Sequence, residues 1–230
     1  MMRNRCLIVF VKYPQSGQVK SRLAKDYDDD FAADLYKAFV IDILECVVKG
    51  DWQLHIYFDP PERKIEIKKL FGNGHEYQPQ RGADLGERMK RAFTDCFSEG
   101  FKSVVLIGSD FPDLPLKIIK GAFAALDSPY DAVIGPAADG GYYLIGFRND
   151  KFLPAIFEGF TWGTPLVLEK TICILQDKNY NMQLIEEWHD VDTSNDLLVL
   201  IERNKKTKFI NSRTMSFLRA SKYFSPRSLT

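Results

Sequence analysis

The stretch Val104-Val-Leu-Ile-Gly-Ser-Asp-Phe-Pro-Asp-Leu-Pro115 decides how this chain folds. Its first four residues are aliphatic without polar alternation, the pattern of a strand covered on both faces in a parallel sheet. Gly108, Pro112 and Pro115 then end the strand and turn the chain. Asp110 is thereby delivered to the carboxyl edge, where open α/β sheets bind their ligands. A carboxylate there reads in two ways. It is an oxygen ligand for a divalent cation carrying phosphate, or it caps a helix starting near Leu116 or braces the turn.

Outward from this segment, strand-like runs recur at Cys6–Val11, Leu54–Phe58, Ala132–Ile134, Tyr142–Phe147 and Met182–Trp188. Helical patterns separate several of them: Phe31–Val48, with Asp28 to Asp30 as N-cap candidates, then Leu85–Phe97, Leu116–Leu126, Pro165–Leu175 and Ser194–Ile201. Strands alternating with helices predict a three-layer α/β/α domain around a mostly parallel sheet. Gly140-Gly141 between two strand runs predicts a hairpin or bend, hence a mixed sheet.

The chain has 230 residues, 45% of them hydrophobic, enough for one large core. Its formal charge is zero, but residues 203–230 hold eight basic side chains, from Arg203 to Arg227, and no acidic one. The expected organisation is a body over 1–205 and a basic tail over 206–230. Such a tail can attract nucleic acid, anionic lipid or the acidic body, but solvated disorder is the commoner explanation, so nucleic acid is disfavoured as a partner. Cys6, Cys46, Cys96 and Cys173 stand far apart in apolar stretches and read as core residues of a reducing compartment. No run approaches the roughly 18 apolar residues of a membrane span, and the expected location is cytoplasmic. His55 and His75 have no partner spacing and read as structural or exposed.

Five segments carry candidate chemistry. The loop Lys12-Tyr-Pro-Gln-Ser-Gly-Gln-Val-Lys-Ser-Arg-Leu23 leaves the first strand. Through Pro14 and Gly17 it can expose backbone N–H groups, while Lys12, Lys20 and Arg22 add positive charge where a phosphoryl group transfers. It is neither a Walker A nor a G-x-G-x-x-G sequence, and a plain solvated basic loop is the alternative. In His189-Asp-Val-Asp-Thr193, an extended backbone points Asp190 and Asp192 to one side. The pair repels unless a cation intervenes, so with Asp110 it forms a candidate Mg²⁺ or Mn²⁺ set. The alternative is that Asp192 or Ser194 caps the next helix. In Pro79–Met89, Gly82 and Gly86 allow a flat ring to approach the backbone. The segments Pro136–Tyr143 and Phe160–Pro165 are binding loops or ordinary turns, Gly163 and Thr164 having N–H groups to offer at a helix start.

In order, Lys12–Leu23, Gln80–Met89, Gly108–Pro115, Gly135–Gly146, Trp162–Thr164 and Asp190–Thr193 resemble the bacterial transferases associated with radical-SAM and selenium-domain clusters (DUF2064-like), within the nucleotide-diphospho-sugar transferase, or glycosyltransferase-A, superfamily. The resemblance runs from residue 6 to about residue 200. It is similar also to cofactor guanylyltransferases, and the resemblance implies a metal-dependent transferase. Lys20 and Arg22 would assist transfer at the triphosphate, with Lys12, Pro14 and Gly17 around it. Gln80, Gly82, Asp84 and Leu85 would flank the base, and Asp110, Asp190 and Asp192 would hold Mg²⁺ or Mn²⁺. Asp139, Gly140, Gly141, Trp162, Gly163 and Thr164 would meet a small phosphorylated or carboxylated acceptor. The first loop lacks the glycine-rich L-x-G-G-x-x-x-R form of the molybdenum-cofactor enzymes. A nucleotide-sugar donor and glycosyl transfer are therefore the alternative, and a non-catalytic nucleotide-binding domain is the third reading. Base, acceptor and oligomeric state are not legible.

Overall fold

The computed structural model describes residues 4–159 and 161–224. Phe160 and Arg227, named above, lie outside the described residues. Seven strands form one sheet: β1 (Arg5–Lys12), β2 (Gln53–Asp59), β3 (Glu76–Pro79), β4 (Ser103–Ile107), β5 (Ala132–Pro136), β6 (Tyr142–Arg148) and β7 (Met182–Leu184). Their order is β3-β2-β1-β4-β6-β5-β7. Pairing is parallel except for β6, which runs antiparallel to both β4 and β5. The expected mixed sheet and the hairpin at Gly140-Gly141 are both present.

Alternation along β1 divides the core. Leu7, Val9 and Val11 face one apolar cluster, while Cys6, Ile8 and Phe10 face the other. The first is covered by α2 (Asp29–Val47), α5 (Leu116–Leu126) and α7 (Ser194–Asn204), the second by α4 (Leu85–Ser98) and α6 (Val167–Asp177). Three layers result, because a sheet apolar on both faces must be covered on both. Among the described residues no helix is long and apolar enough to cross a membrane.

Several local expectations are corrected. β3, α1 (Ser21–Asp26) and α3 (Lys64–Phe71) were not legible in the sequence; each is short, and α3 and β3 bury few side chains. β7 stops at Leu184 instead of Trp188, and the chain continues as a loop with one bridge, Ala137 to Trp188. α6 begins at Val167, beyond Pro165. Cys6 and Cys96 are buried as expected, but Cys173 is exposed.

The largest difference concerns the basic tail, whose described part is packed. Within it α8 (Arg213–Ala220) lies on α2, with Met215 and Leu218 fully buried in the first core. Asp42 of α2 accepts the backbone N–H groups of Arg213 and Thr214, each at 2.8 Å. Tyr223 and Phe224 close on Tyr27 and Phe31. Burial of Met215, Leu218 and Phe224 outweighs the local charge.

Candidate functional site

Chain order reverses across the sheet at β1 and β4: β2 and β3 lie on one side, β4 and its followers on the other. A crevice forms at such a switch point, outside the carboxyl ends of the strands. Here it is a cleft of about 770 Å³. Of the residues expected from sequence, Lys12, Lys20, Arg22, Gln80, Asp84, Leu85, Asp110, Asp139, Gly141, Trp162, Gly163, Thr164, Asp190 and Asp192 line it. Pro14, Gly17, Gly82 and Gly140 are not among the lining residues.

Lys20 is the centre of the cleft. Its side chain is only 3% exposed, and Nζ lies 2.5 Å from Asp110 Oδ1 and 2.7 Å from Asp192 Oδ1. Burial alone would lower the Lys20 pKa, but the two carboxylates outweigh it and hold the ammonium firmly charged. The backbone of Lys20 is left-handed, φ 50°, where a non-glycine residue costs roughly 1 kcal/mol. That strain is sustained by the two ion pairs at its tip, a pattern common at functional sites. Arg22 stands more openly, 3.9 Å from Asp192 Oδ2 and 72% exposed.

The carboxylates come from separate loops. Asp110 caps no helix, since α5 starts after Pro115 without a side-chain cap. Asp192 and Ser194 are likewise free of that duty, because Thr193 caps α7 in a reciprocal box with Asp196. Val191 between the two aspartates is buried while both face the cleft, as period-two alternation requires. Asp190 is pushed up to about 6 by burial first and then by the negative charges of Asp192 and Asp139. Asp192 is held below the ordinary value: burial would raise it, but Lys20 and Arg22 prevail. The cation between Asp110 and Asp192 in this arrangement is thus the Lys20 ammonium. Carboxylate oxygens are the donors Mg²⁺ and Mn²⁺ prefer, but among the described residues the three aspartates do not bring one oxygen each within 4.8 Å of one another. Asp190, with its raised affinity for protons, is the one whose charge most lacks compensation.

Other expected residues serve the frame. Asp84 caps α4 by accepting the Glu87 N–H at 2.8 Å. Gln80 Nε2 donates to the Tyr57 carbonyl at 3.0 Å, so its amide ties strands together beneath the cleft. Gly82 and Gly86 leave room for the protein's own groups: a Cβ at Gly82 would stand 2.7 Å from Arg88 N, and one at Gly86 2.5 Å from the Trp162 ring. Gly140 packs on Pro165. Asp139 accepts the Gly141 N–H at 2.9 Å, and Thr164 Oγ1 donates to the Thr161 carbonyl, which fixes both turns.

Three residues that sequence reading missed complete the site. Tyr36 Oη and Ser109 Oγ lie 2.6 Å apart beneath Asp110, and Tyr36 also accepts the Lys12 N–H at 3.0 Å. Burial and then the charge of Asp110 push the Tyr36 phenol up to about 12, so it stays a neutral hydrogen-bonding group. Asp113, 3% exposed, receives Arg203 in a two-pronged pair at 2.7 Å, Asn204 at 2.6 Å and the Trp188 indole at 3.1 Å. It locks α7 and the Asp190–Asp192 loop to the Asp110 loop. Asp113 lies in the quoted opening stretch, but its partners are 75 to 91 residues away and carry no signature.

Comparison with known proteins agrees with this architecture. The family model described as "Uncharacterized protein conserved in bacteria (DUF2064)" matches residues 42–164. A protein from Desulfovibrio desulfuricans G20, assigned to the nucleotide-diphospho-sugar transferases, is similar at 42% identity and TM-score 0.92, with 95% of each chain covered. CMP:2-keto-3-deoxy-manno-octonic acid synthetase, solved with CTP, shares the fold at 12% identity and TM-score 0.55, over 86% of this chain and 96% of that one. So does Rv0371c of Mycobacterium tuberculosis H37Rv, solved with manganese, at 12% identity and TM-score 0.52, over 88% and 100%. No curated protein matches the sequence. Built on the nucleotide-diphospho-sugar transferase fold and matched over more than half its length by the family model, the chain belongs to the DUF2064 family.

Proposed function

We propose that this transferase binds a nucleoside triphosphate in the cleft and moves its nucleotidyl group to an oxygen of a small phosphorylated or carboxylated acceptor, breaking the α–β phosphoanhydride bond and releasing pyrophosphate. The observation that carries the reading is the buried Lys20 ammonium, 2.5 Å from Asp110 and 2.7 Å from Asp192, with Lys12 and Arg22 on the same loop. A phosphate oxygen competes with the carboxylates for Nζ, and the carboxylate it displaces needs a new cation. Asp110, Asp190 and Asp192 would hold Mg²⁺ or Mn²⁺ there. When bound, such an ion supplies charge neutralisation to the phosphate oxygens.

Lys20 and Arg22 stabilise the charge that gathers on the transferring phosphorus, a contribution of roughly 10²–10³ in rate for a well-placed donor. Tyr36 and Ser109 hold the Asp110 loop, and the turns at Asp139–Gly141 and Trp162–Thr164 line the side where an acceptor would enter. Positioning and electrostatics carry the reaction, so no protein nucleophile is required. A nucleotide-sugar donor is the second reading, favoured by the assignment of the D. desulfuricans relative.

A thermal-shift screen of ATP, GTP, CTP, UTP and their common sugar-diphosphate conjugates, each with and without Mg²⁺ or Mn²⁺, tests the reading. A ligand at 100 times its Kd stabilises by about 2.7 kcal/mol. A metal-dependent shift with a free triphosphate supports nucleotidyl transfer. A shift confined to a sugar conjugate supports glycosyl transfer, and none with any of them overturns both.

A further inference from the structure

Beneath the other face of the sheet, away from the cleft, two thiols and an imidazole meet in the second core. Cys6 Sγ lies 3.6 Å from Cys96 Sγ, and Cys96 Sγ lies 3.7 Å from His55 Nδ1. One ligand atom from each of the three residues falls within 4.8 Å of the others, and all three residues are buried. The sequence reading kept them apart as small core residues and a structural histidine. They come from β1, β2 and α4, with separations of 90 and 41 residues that match no metal-binding spacing.

We infer that Cys6, His55 and Cys96 form a structural site for one divalent ion of the zinc type. Zinc bonds of about 2.3 Å to sulfur and about 2.0 Å to nitrogen, at tetrahedral angles, separate two sulfurs by about 3.8 Å and a sulfur from a nitrogen by about 3.6 Å. The two spacings of 3.6 and 3.7 Å are close to tetrahedral edges, the third pair lies within 4.8 Å, and 3.6 Å is far beyond a disulfide bond. Hydrogen bonding alone does not explain a buried histidine here. His55 is 1% exposed, its Nε2 has no hydrogen-bond partner, and its Nδ1 faces a sulfur, a weak acceptor.

The scaffold is rigid. Cys6 pairs with Gln53 in the parallel ladder, so His55 stands two positions further along the neighbouring strand on the same face. Cys96 descends from α4 above them, and Tyr57 Oη, 3.9 Å from Cys96 Sγ, offers an oxygen for the fourth position. Two thiolates balance a divalent charge, which lets the assembly be buried without net charge. Loading forms two metal–sulfur bonds and one metal–nitrogen bond and releases the two thiol protons, with no change of oxidation state. Thiolate and imidazole donors select zinc-type ions over Mg²⁺. Cys6 lies four residues before Phe10, the first β1 residue to line the cleft, roughly 13 Å along the strand, and six before Lys12, so this site is separate from the aspartate set.

The test uses the full, tag-free chain, produced with added Zn²⁺ and, separately, with Co²⁺, then dialysed against a weak chelator. The expected result is one retained equivalent of metal and a thiolate-to-Co²⁺ absorption band. Cys6 and Cys96 should be protected from thiol reagents until the chain unfolds. Cys6→Ser and Cys96→Ser should each weaken binding by at least roughly 100-fold, His55→Gln should do likewise, and Cys173→Ser should leave it unchanged. If a ligand variant fails to fold, the retained metal and the cobalt spectrum of the unmutated chain still decide. No retained metal, a cobalt spectrum without the thiolate band, or a Cys6–Cys96 disulfide in the isolated protein would overturn the site.

Discussion

Lys20 concentrates the chemistry of the molecule in one side chain: buried, left-handed in backbone and bound by two carboxylates. Lys20→Ala leaves Asp110 and Asp192 facing each other without a cation. Breaking a fully buried pair costs about 3–5 kcal/mol, but these carboxylates are 44% and 37% exposed, so solvent screening reduces the loss to about 2 kcal/mol. Chemical denaturation should register that loss, while transfer falls at least about 100-fold and donor affinity changes much less. Asp190 should behave oppositely. Its folded pKa of about 6 lies above the ordinary 3.8, so the folded chain binds that proton more tightly than the unfolded one. The penalty of ionising it is absent below pH 3.8, grows as pH rises and is complete above about 6. Asp190→Asn should therefore stabilise the metal-free protein by about 1 kcal/mol at pH 7.5, after allowance for partial exposure, and by much less at pH 4.5. Melting curves in chelator at both pH values check the sign. Asp110 was legible because it follows an apolar run, Asp190 and Asp192 because their spacing of two puts both on one side of an extended backbone. Tyr36 and Ser109 were not, because their hydrogen bond joins residues 73 apart.

Elements hold those side chains in register. The Asp190–Asp192 loop is bound to the Asp110 loop through the Val191 N–H, 3.1 Å from the Asp110 carbonyl, and through Asp113 with Arg203, Asn204 and Trp188. Asp113→Ala strands a half-buried arginine and a buried asparagine, so stability should drop by about 3 kcal/mol. That is roughly 10 °C in melting temperature for a chain of this size, with metal affinity falling as the two loops part. An unchanged melting temperature would contradict the locking role. Met215→Ala in α8 should cost about 3 kcal/mol in urea unfolding, the usual range for a fully buried methionine being 2–5. A solvated tail would show no effect. The long helix α2 and the uninterrupted aliphatic run of β4 declared themselves in the sequence. α8 did not, because its two deeply buried apolar residues are spread among basic ones whose side chains reach solvent.

At the scale of the whole molecule, the antiparallel β6 and the reversal of order at β1 and β4 leave one crevice where six loops converge. Alternation of strands and helices made the layered fold legible, and the glycine pair at 140–141 made the mixed sheet legible. The position of β3 at the edge and the return of the C-terminal segment over α2 depend on contacts between distant parts of the chain. The central claim is that this crevice binds a nucleotide donor together with a divalent cation held by the aspartates. Titration calorimetry of the donor found by thermal shift, with Mg²⁺ and with chelator, on the unmutated chain and on Asp190→Asn, tests it most directly. The expected result is a metal-dependent gain in affinity of at least about tenfold, or 1.4 kcal/mol, that is lost in Asp190→Asn. Equal affinity with and without metal, unaltered by the substitution, would contradict the account.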